Sequence, residues 1–195
     1  MLNMYSMALG DYQTNCYFVW GDSDCCTVID PGYEPQTILL QAKKLGKTIE
    51  AILLTHGHFD HIGAVREVAA ETGCKVYVCQ PELSMPSRLT TGPVYHTDTY
   101  QEGDVLTLSG VTFHVLQTPG HTAGSVCLLA EDSMFSGDTL FRGTCGRTDL
   151  PTGSWTQMQQ SLKRLAGLPK NYAVYPGHGP ATTLDEEKQY NPYMQ

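Results

Sequence analysis

Four side chains able to bind a metal ion, His56, His58, Asp60 and His61, lie within the stretch Thr55-His56-Gly57-His58-Phe59-Asp60-His61. Imidazole and carboxylate together are the usual ligands of zinc and related cations. An extended backbone alternates its side chains between two faces, so His56 and His58 can point the same way, whereas Asp60 and His61 fall past a turn and can point elsewhere. That spacing suits two neighbouring cations better than one. A lone histidine is usually structural, and a His-rich tract can be a tag or an adventitious binder. An internal H-x-H-x-D-H directly after the apolar run Ala51-Ile52-Leu53-Leu54 is neither.

Three more candidates sit at the ends of strand-like runs beside glycine: His121 in Thr118-Pro119-Gly120-His121-Thr122, Asp138 in Ser136-Gly137-Asp138-Thr139, and His178 in Pro176-Gly177-His178-Gly179. Glycine at a strand end makes a tight turn on which a side chain can approach a ligand closely. Of seven histidines, five occupy strand-end or loop positions of this kind. His114 lies inside a strand pattern and His96 in a proline-rich stretch, so both read as packing or surface residues.

The elements that must position these residues alternate strand and helix in the first half. Asn15 to Trp20 and Cys26 to Asp30 read as a hairpin over the turn Gly21-Asp22-Ser23-Asp24. Ile38, Leu39, Ala42 and Leu45 then recur at helical spacing up to Gly46, followed by the strand before His56. One helix is expected after His61, with Ile62, Val65, Val68 and Ala69 on a face and its end near Gly73. Lys75 to Cys79 follows as a strand. This pattern implies a mixed or parallel sheet with helices packed on it. Pro81 to Gln101, broken by three prolines, reads as a surface loop near the site. Two hairpins are expected in the second half, Val105–Leu108 with Val111–Leu116 and Ser125–Ala130 with Ser133–Ser136. A helix from Ser154, a strand Asn171–Tyr175 and a helix opened by the capping box at Thr183 complete the pattern.

At 195 residues and 41% hydrophobic, the chain can bury a substantial core, and one domain over 1–195 is expected. A formal net charge of −8 argues against a nucleic-acid partner. No run is long and apolar enough to span a membrane, and Met1 to Met7 lacks the features of an export signal. Seven cysteines without a C-x-x-C pair fit a reducing compartment, so a cytoplasmic protein is expected. Oligomeric state is not legible.

Taken together, His56-x-His58-x-Asp60-His61, Thr118-Pro119-Gly120-His121, Ser136-Gly137-Asp138-Thr139 and Pro176-Gly177-His178-Gly179 resemble the metallo-β-lactamase superfamily. The resemblance runs from Val28-Ile29-Asp30-Pro31-Gly32 to Asn191-Pro192-Tyr193. It implies an α/β protein with a four-layer αββα sandwich and a dinuclear site. His56, His58 and His121 would hold one metal, Asp60, His61 and His178 the other, and Asp138 would bridge. Two divalent ions are implied, zinc foremost, with iron and manganese compatible with the same ligands.

The segments Leu140-Phe141-Arg142-Gly143 and Gly146-Arg147-Thr148-Asp149 resemble the glyoxalase II group of thioester hydrolases. Only 17 residues follow His178, so the chain is similar to its short, single-domain members. A small-molecule thioester, S-lactoylglutathione or a relative, is the implied substrate. Asp60 would orient the attacking hydroxide, and Arg142 and Arg147 would meet an anionic part of the substrate. Cys145-Gly146-Arg147-Thr148-Asp149 is shared with the persulfide dioxygenase branch, which uses a single iron and is the alternative reading. A metal-binding protein without turnover is a further alternative. A secreted β-lactamase is disfavoured, because Asp138 stands where those enzymes commonly place a cysteine.

Overall fold

Adjacent residues such as Val28 and Ile29, or Ile52 and Leu53, are all buried, so the strands carrying them must be covered on both faces. The computed structural model, which describes residues 1–195, meets that requirement with two six-stranded sheets packed face to face and helices on each outer face. The first sheet runs in sequence order, β1 (Asn3–Leu9), β2 (Thr14–Trp20), β3 (Cys25–Ile29), β4 (Thr48–Leu53), β5 (Lys75–Cys79) and β6 (Asp98–Tyr100). It is mixed: β1, β2 and β3 pair antiparallel, while β3 to β6 are parallel. The second sheet is built from β7 (Val105–Leu108), β8 (Val111–Gln117), β9 (Val126–Ala130), β10 (Ser133–Gly137), β13 (Ala173–Pro176) and β14 (Thr182–Thr183), and the short hairpin β11 (Leu140–Phe141) with β12 (Thr144–Cys145) stands apart.

Alternation assigns each side chain to a layer. Tyr17, Ile29, Leu53 and Tyr77 meet Phe113, Leu128 and Phe135 between the sheets. Phe18, Val28, Ile52 and Val76 face outward onto α1 (Pro35–Lys44) and α3 (Val65–Thr72), contacting Ile38, Ala42, Val65 and Val68. On the other side Cys127, Met134 and Val174 pack on α5 (Trp155–Ala166) and α6 (Leu184–Tyr190) through Met158, Leu162, Leu165 and Leu184. The expected αββα sandwich is the architecture present. Each fully buried Val, Leu, Ile, Phe or Met side chain among these contributes about 1.5–3 kcal/mol by leaving water. No helix is long and apolar enough to cross a membrane.

Two expectations change. The helix after His61 is not continuous: α2 (Phe59–Ile62) starts earlier, includes Asp60 and His61, and is separated from α3 by Gly63 and Ala64. The segment after β3 forces the break, because the Pro31 carbonyl accepts from Ala64 N at 3.0 Å and a Cβ at Gly63 would lie 2.3 Å from the Gly32 carbonyl oxygen. Pro81 to Gln101 is not simply a surface loop. It holds most of a 3₁₀ turn (Gln80–Ser84), α4 (Ser87–Thr90) and strand β6, with Glu82, Met85, Val94 and Tyr100 buried. The prolines there punctuate short elements rather than prevent them. Strand β1, which the sequence reading did not anticipate, pairs along the edge of the first sheet with β2.

The approach of the β3 end to α2 leaves no room for a side chain, since a Cβ at Gly32 would fall 1.7 Å from the Asp60 carbonyl oxygen. Gly32→Ala is therefore expected to displace α2, to lower stability by about 1–3 kcal/mol in denaturant melts, and to lower bound metal in elemental analysis.

Candidate metal centre

The ends of β3, β4, β9's preceding loop, β10 and β13 come together at one edge of the sandwich, and with α2 they carry every candidate ligand to one place. His56 and His58 leave the end of β4, Asp60 and His61 sit on α2, His121 lies in the loop between β8 and β9, Asp138 follows β10 and His178 follows β13. Ligand-capable atoms of His56, His58 and His121 lie within 4.8 Å of one another, as do those of Asp60, His61 and His178. Asp138 faces both groups: Oδ1 is 3.4 Å from His61 Nε2, and Oδ2 is 3.6 Å from both His121 Nε2 and His178 Nε2. The structure thus brings all seven candidate residues together.

Backbone carbonyls and one carboxylate set the ring orientations. A carbonyl can only accept, so His121 Nδ1 donates to the Arg147 carbonyl at 2.8 Å and His178 Nδ1 to the Tyr12 carbonyl at 3.1 Å. His61 Nδ1 lies 2.9 Å from Asp30 Oδ2. In each ring that contact leaves Nε2 directed at the cluster, the arrangement of a metal-bound imidazole supported by an outer partner. Asp30 also satisfies the rigid start of the ligand loop, accepting from Thr55 N at 2.8 Å and from Thr55 Oγ1 at 2.5 Å. Asp30, His56 and His61 form a third group within 4.8 Å. Because Asp30's oxygens are already engaged by Thr55 and His61, its role is to hold the ring and the loop. Thr14 Oγ1 donates to Asp60 Oδ2 at 3.3 Å.

Three buried side-chain atoms have no hydrogen-bond partner: His56 Nε2, His58 Nε2 and Asp138 Oδ1. All three belong to this cluster, and an unsatisfied buried polar atom costs about 1–3 kcal/mol. A cation beside His56 Nε2 and Asp138 Oδ1 is a partner that removes the cost there, and His58 turns Nδ1 toward the same cluster, 2.8 Å from His121 Nε2, so the residues present fit a divalent metal. The protonation preferences agree. Burial, reinforced by neighbouring histidines, pushes His56 well below the usual imidazole range and His58 down to about 4. Burial also lowers His121, against the pull of Asp138. Both rings that are pushed down furthest stay neutral at pH 7 with a lone pair to give. Burial would raise Asp138, but His61, His121 and His178 outweigh it and hold the carboxylate well below its usual range. For His61 burial is likewise outweighed, here by Asp138 and Asp30, which raise it.

The centre opens to solvent through a cavity of about 340 Å³. Its floor is His58, Asp60, His121, Asp138 and His178, and its wall is Tyr12, Phe59, Leu89 and Leu150, with Arg147 beside them. Tyr12 and Phe59 meet edge to face at 5.3 Å. No serine, threonine or cysteine lines it. Of the two arginines expected at the substrate, Arg147 reaches the cavity, but its Nε and one terminal nitrogen are bound to Asp149 at 2.7 and 2.8 Å. Arg142 is exposed and does not line the cavity. His114, expected to be structural, is exposed on β8 and paired between Val105 and Leu129, away from the centre.

A family model described as the metallo-beta-lactamase superfamily matches residues 9–178. The chain belongs to that superfamily. Among curated members it is 30% identical to the hydroxyacylglutathione hydrolase GloC of Haemophilus influenzae, over 99% of this chain and 98% of that one. Among solved structures, the BLEG-1 B3 metallo-beta-lactamase superposes with a TM-score of 0.89 at 36% identity, covering 99% of this chain and 100% of that one. TTHA1623 in a di-iron-bound form gives 0.84 at 37% over 97% and 99%. ETHE1 from Myxococcus xanthus gives 0.85 at 30% over 97% and 83%. The superfamily membership establishes a metallo-hydrolase fold, and the buried His and Asp groups are where this member would hold its metal.

Asp30, Thr55 and Thr14 were not singled out as site residues from the sequence. The one signal was Asp30 before Pro31-Gly32 at a strand end, the same pattern that marked Asp138 and His178. Replacing Asp138 with alanine is expected to lower divalent-metal affinity by about tenfold or more, read by chelator competition, while His114→Ala leaves it unchanged. Equal losses in the two variants would overturn the division between ligand and structural histidines. The pH behaviour of metal-stripped protein follows from His58. Its folded value lies below the ordinary 6.5, so the unfolded chain takes up the proton first as pH falls, and stability is lost between pH 6.5 and about 4. Below pH 6.5 His61, raised in the fold, is protonated in both states, so its stabilising contribution stays constant across that window. Thermal melts of chelated wild type should therefore fall more steeply from pH 6.5 to 4 than those of His58→Asn.

Proposed function

We propose that the protein is a metal-dependent thioesterase of glyoxalase II type, hydrolysing small thioesters to a carboxylic acid and a thiol. The observation that carries this reading is the cavity itself: His58, Asp60, His121, Asp138 and His178, drawn from two His and Asp groups joined at Asp138, line it, and no serine, threonine or cysteine does. With the lining imidazoles and carboxylates read as ligands, water is the attacking species in this reading. His56, His58 and His121 would hold one divalent ion and Asp60, His61 and His178 the second, with Asp138 between them. A bound pair supplies Lewis acidity and lowers the pKa of a coordinated water toward about 7. Zinc is the metal proposed; the likeness to a protein solved in a di-iron form makes iron the first alternative to measure.

The chain's own residues do the rest. Asp60, held by Thr14, accepts a hydrogen bond from the attacking water and aims its lone pair at the carbonyl carbon. Tyr12, Phe59, Leu89 and Leu150 pack against the acyl chain and shed water from it. A thiolate is a good leaving group without a dedicated acid. The guanidinium of Arg147, already shared with Asp149, contributes steering toward an anionic substituent rather than a dedicated clamp.

The similarity to GloC, a hydroxyacylglutathione hydrolase, supports the thioester reading. A second reading, the mononuclear-iron persulfide dioxygenase, is favoured by the segment Cys145 to Asp149 and by the likeness to ETHE1. The likeness to BLEG-1 adds a β-lactam to the substrates worth assaying. Purified protein reconstituted with zinc or iron should release thiol from S-lactoylglutathione or short acyl thioesters without consuming oxygen. Oxygen uptake with glutathione persulfide and no thioester cleavage would sink the hydrolase. Arg147→Ala is expected to change kcat/KM for thioesters by less than about tenfold, because its charge is already offset by Asp149.

A further inference from the structure

Outside the ligand set, the most demanding group in the molecule is Glu82, a carboxylate with 0% exposure on the 3₁₀ turn Gln80–Ser84. No cation pairs with it. Its Oε2 accepts from Gly57 N at 2.7 Å and its Oε1 from Gly124 N at 2.7 Å. Gly57 lies between His56 and His58, and Gly124 three residues after His121, so one side chain joins the ligand loop of the first sheet to the ligand loop of the second.

The chemistry requires this residue type. Both partners are backbone donors, and of the side chains that fit only a carboxylate presents two acceptor oxygens; a glutamine would turn an N–H donor toward one of them. The glycines fit the same account. Neither Gly57 nor Gly124 has a left-handed φ. A Cβ at Gly124 would instead lie 2.7 Å from Glu82 Oε1, and one at Gly57 3.2 Å from Oε2 and 3.1 Å from Met85 Sδ. Space for the carboxylate explains Gly124, while Gly57 is crowded by Met85 and Glu82 together.

We propose that Glu82 is a positioning residue that fixes the separation between the His56–His58 loop and the His121 loop, and thereby the affinity of one of the two metal positions. His58 and His121 come from these two loops, and their nearest ring nitrogens are 2.8 Å apart. The other group is held independently of Glu82, His61 by Asp30 and His178 by the Tyr12 carbonyl. Glu82 therefore acts on the His56–His58–His121 position and not on the Asp60–His61–His178 position. The inference rests on the reading of these groups as metal ligands.

The test is a stepwise zinc titration of the full chain against a chromophoric chelator. Glu82→Gln should weaken one binding step by about 10–100-fold and leave the other within about twofold, and the loss should persist in a His178→Ala background. Gly124→Ala, whose methyl would press on Oε1, should weaken the same step. Glu82→Asp, one methylene shorter, should make room for that methyl, so the double variant Glu82→Asp/Gly124→Ala should bind more tightly than the product of the single effects. That cycle carries the test should Glu82→Gln fail to fold. Equal weakening of both steps in proportion to a lowered Tm, additivity in the cycle, or no change in either step overturns the proposal. A wild type that takes up no zinc or other divalent ion would instead overturn the metal reading on which it rests.

Discussion

A fully buried imidazole, His61, is held between two carboxylates that come from different sheets. Asp30 closes the end of β3 on one side and Asp138 follows β10 on the other. Apolar packing between the sheets brings these strand ends together, and each buried charge there would be costly unless paired. Asp30 meets its need with Thr55 and His61. Asp138 keeps one buried oxygen without a hydrogen bond, as His56 keeps its Nε2. The polar groups thus balance within themselves except at the point where a cation belongs.

The surrounding backbone is crowded because several loops must converge on that point. A Cβ at Gly177 would lie 2.2 Å from Asp138 Oδ1 and 2.6 Å from His61 Cε1. Gly32 lets the end of β3 lie against α2, and Gly57 and Gly124 leave room for Glu82. These contacts make the ligand positions interdependent: a shift of α2 moves Asp60 and His61 together, while a shift of either loop joined by Glu82 changes the gap between His58 and His121. Rigidity of this kind is what a metal site of fixed coordination geometry needs.

Above the polar floor the wall is apolar, and the one cation on it is shared with a carboxylate. Binding energy for a substrate would come mainly from Tyr12, Phe59, Leu89 and Leu150, with the chemistry supplied at the floor. With the lining imidazoles and carboxylates read as ligands and no serine, threonine or cysteine beside them, water is the attacking species in the proposed hydrolysis.

The candidate ligands stood out in the sequence because strand ends and glycine-flanked histidines are local features: a strand's register and a tight turn dictate where His56, His121 or His178 can point. Alternating strands and helices made a helix-covered sheet legible in the first half, whereas the four-layer sandwich came from the family resemblance. The break between α2 and α3 was not legible, because it depends on the Pro31–Gly32 segment, some thirty residues earlier, pressing against Gly63. Nor were Asp30 and Glu82 as supports, whose partners lie 25 to 42 residues away. Arg147 looked like a substrate contact from its place after Asp138, and only side-chain geometry showed it bound to Asp149. By itself the sequence determined which chemical groups are delivered and at which strand ends, through short-range backbone geometry. The tertiary structure alone decided which buried acids are free to take a metal and which are committed to holding the frame, because that depends on hydrogen-bond partners brought together across the two sheets.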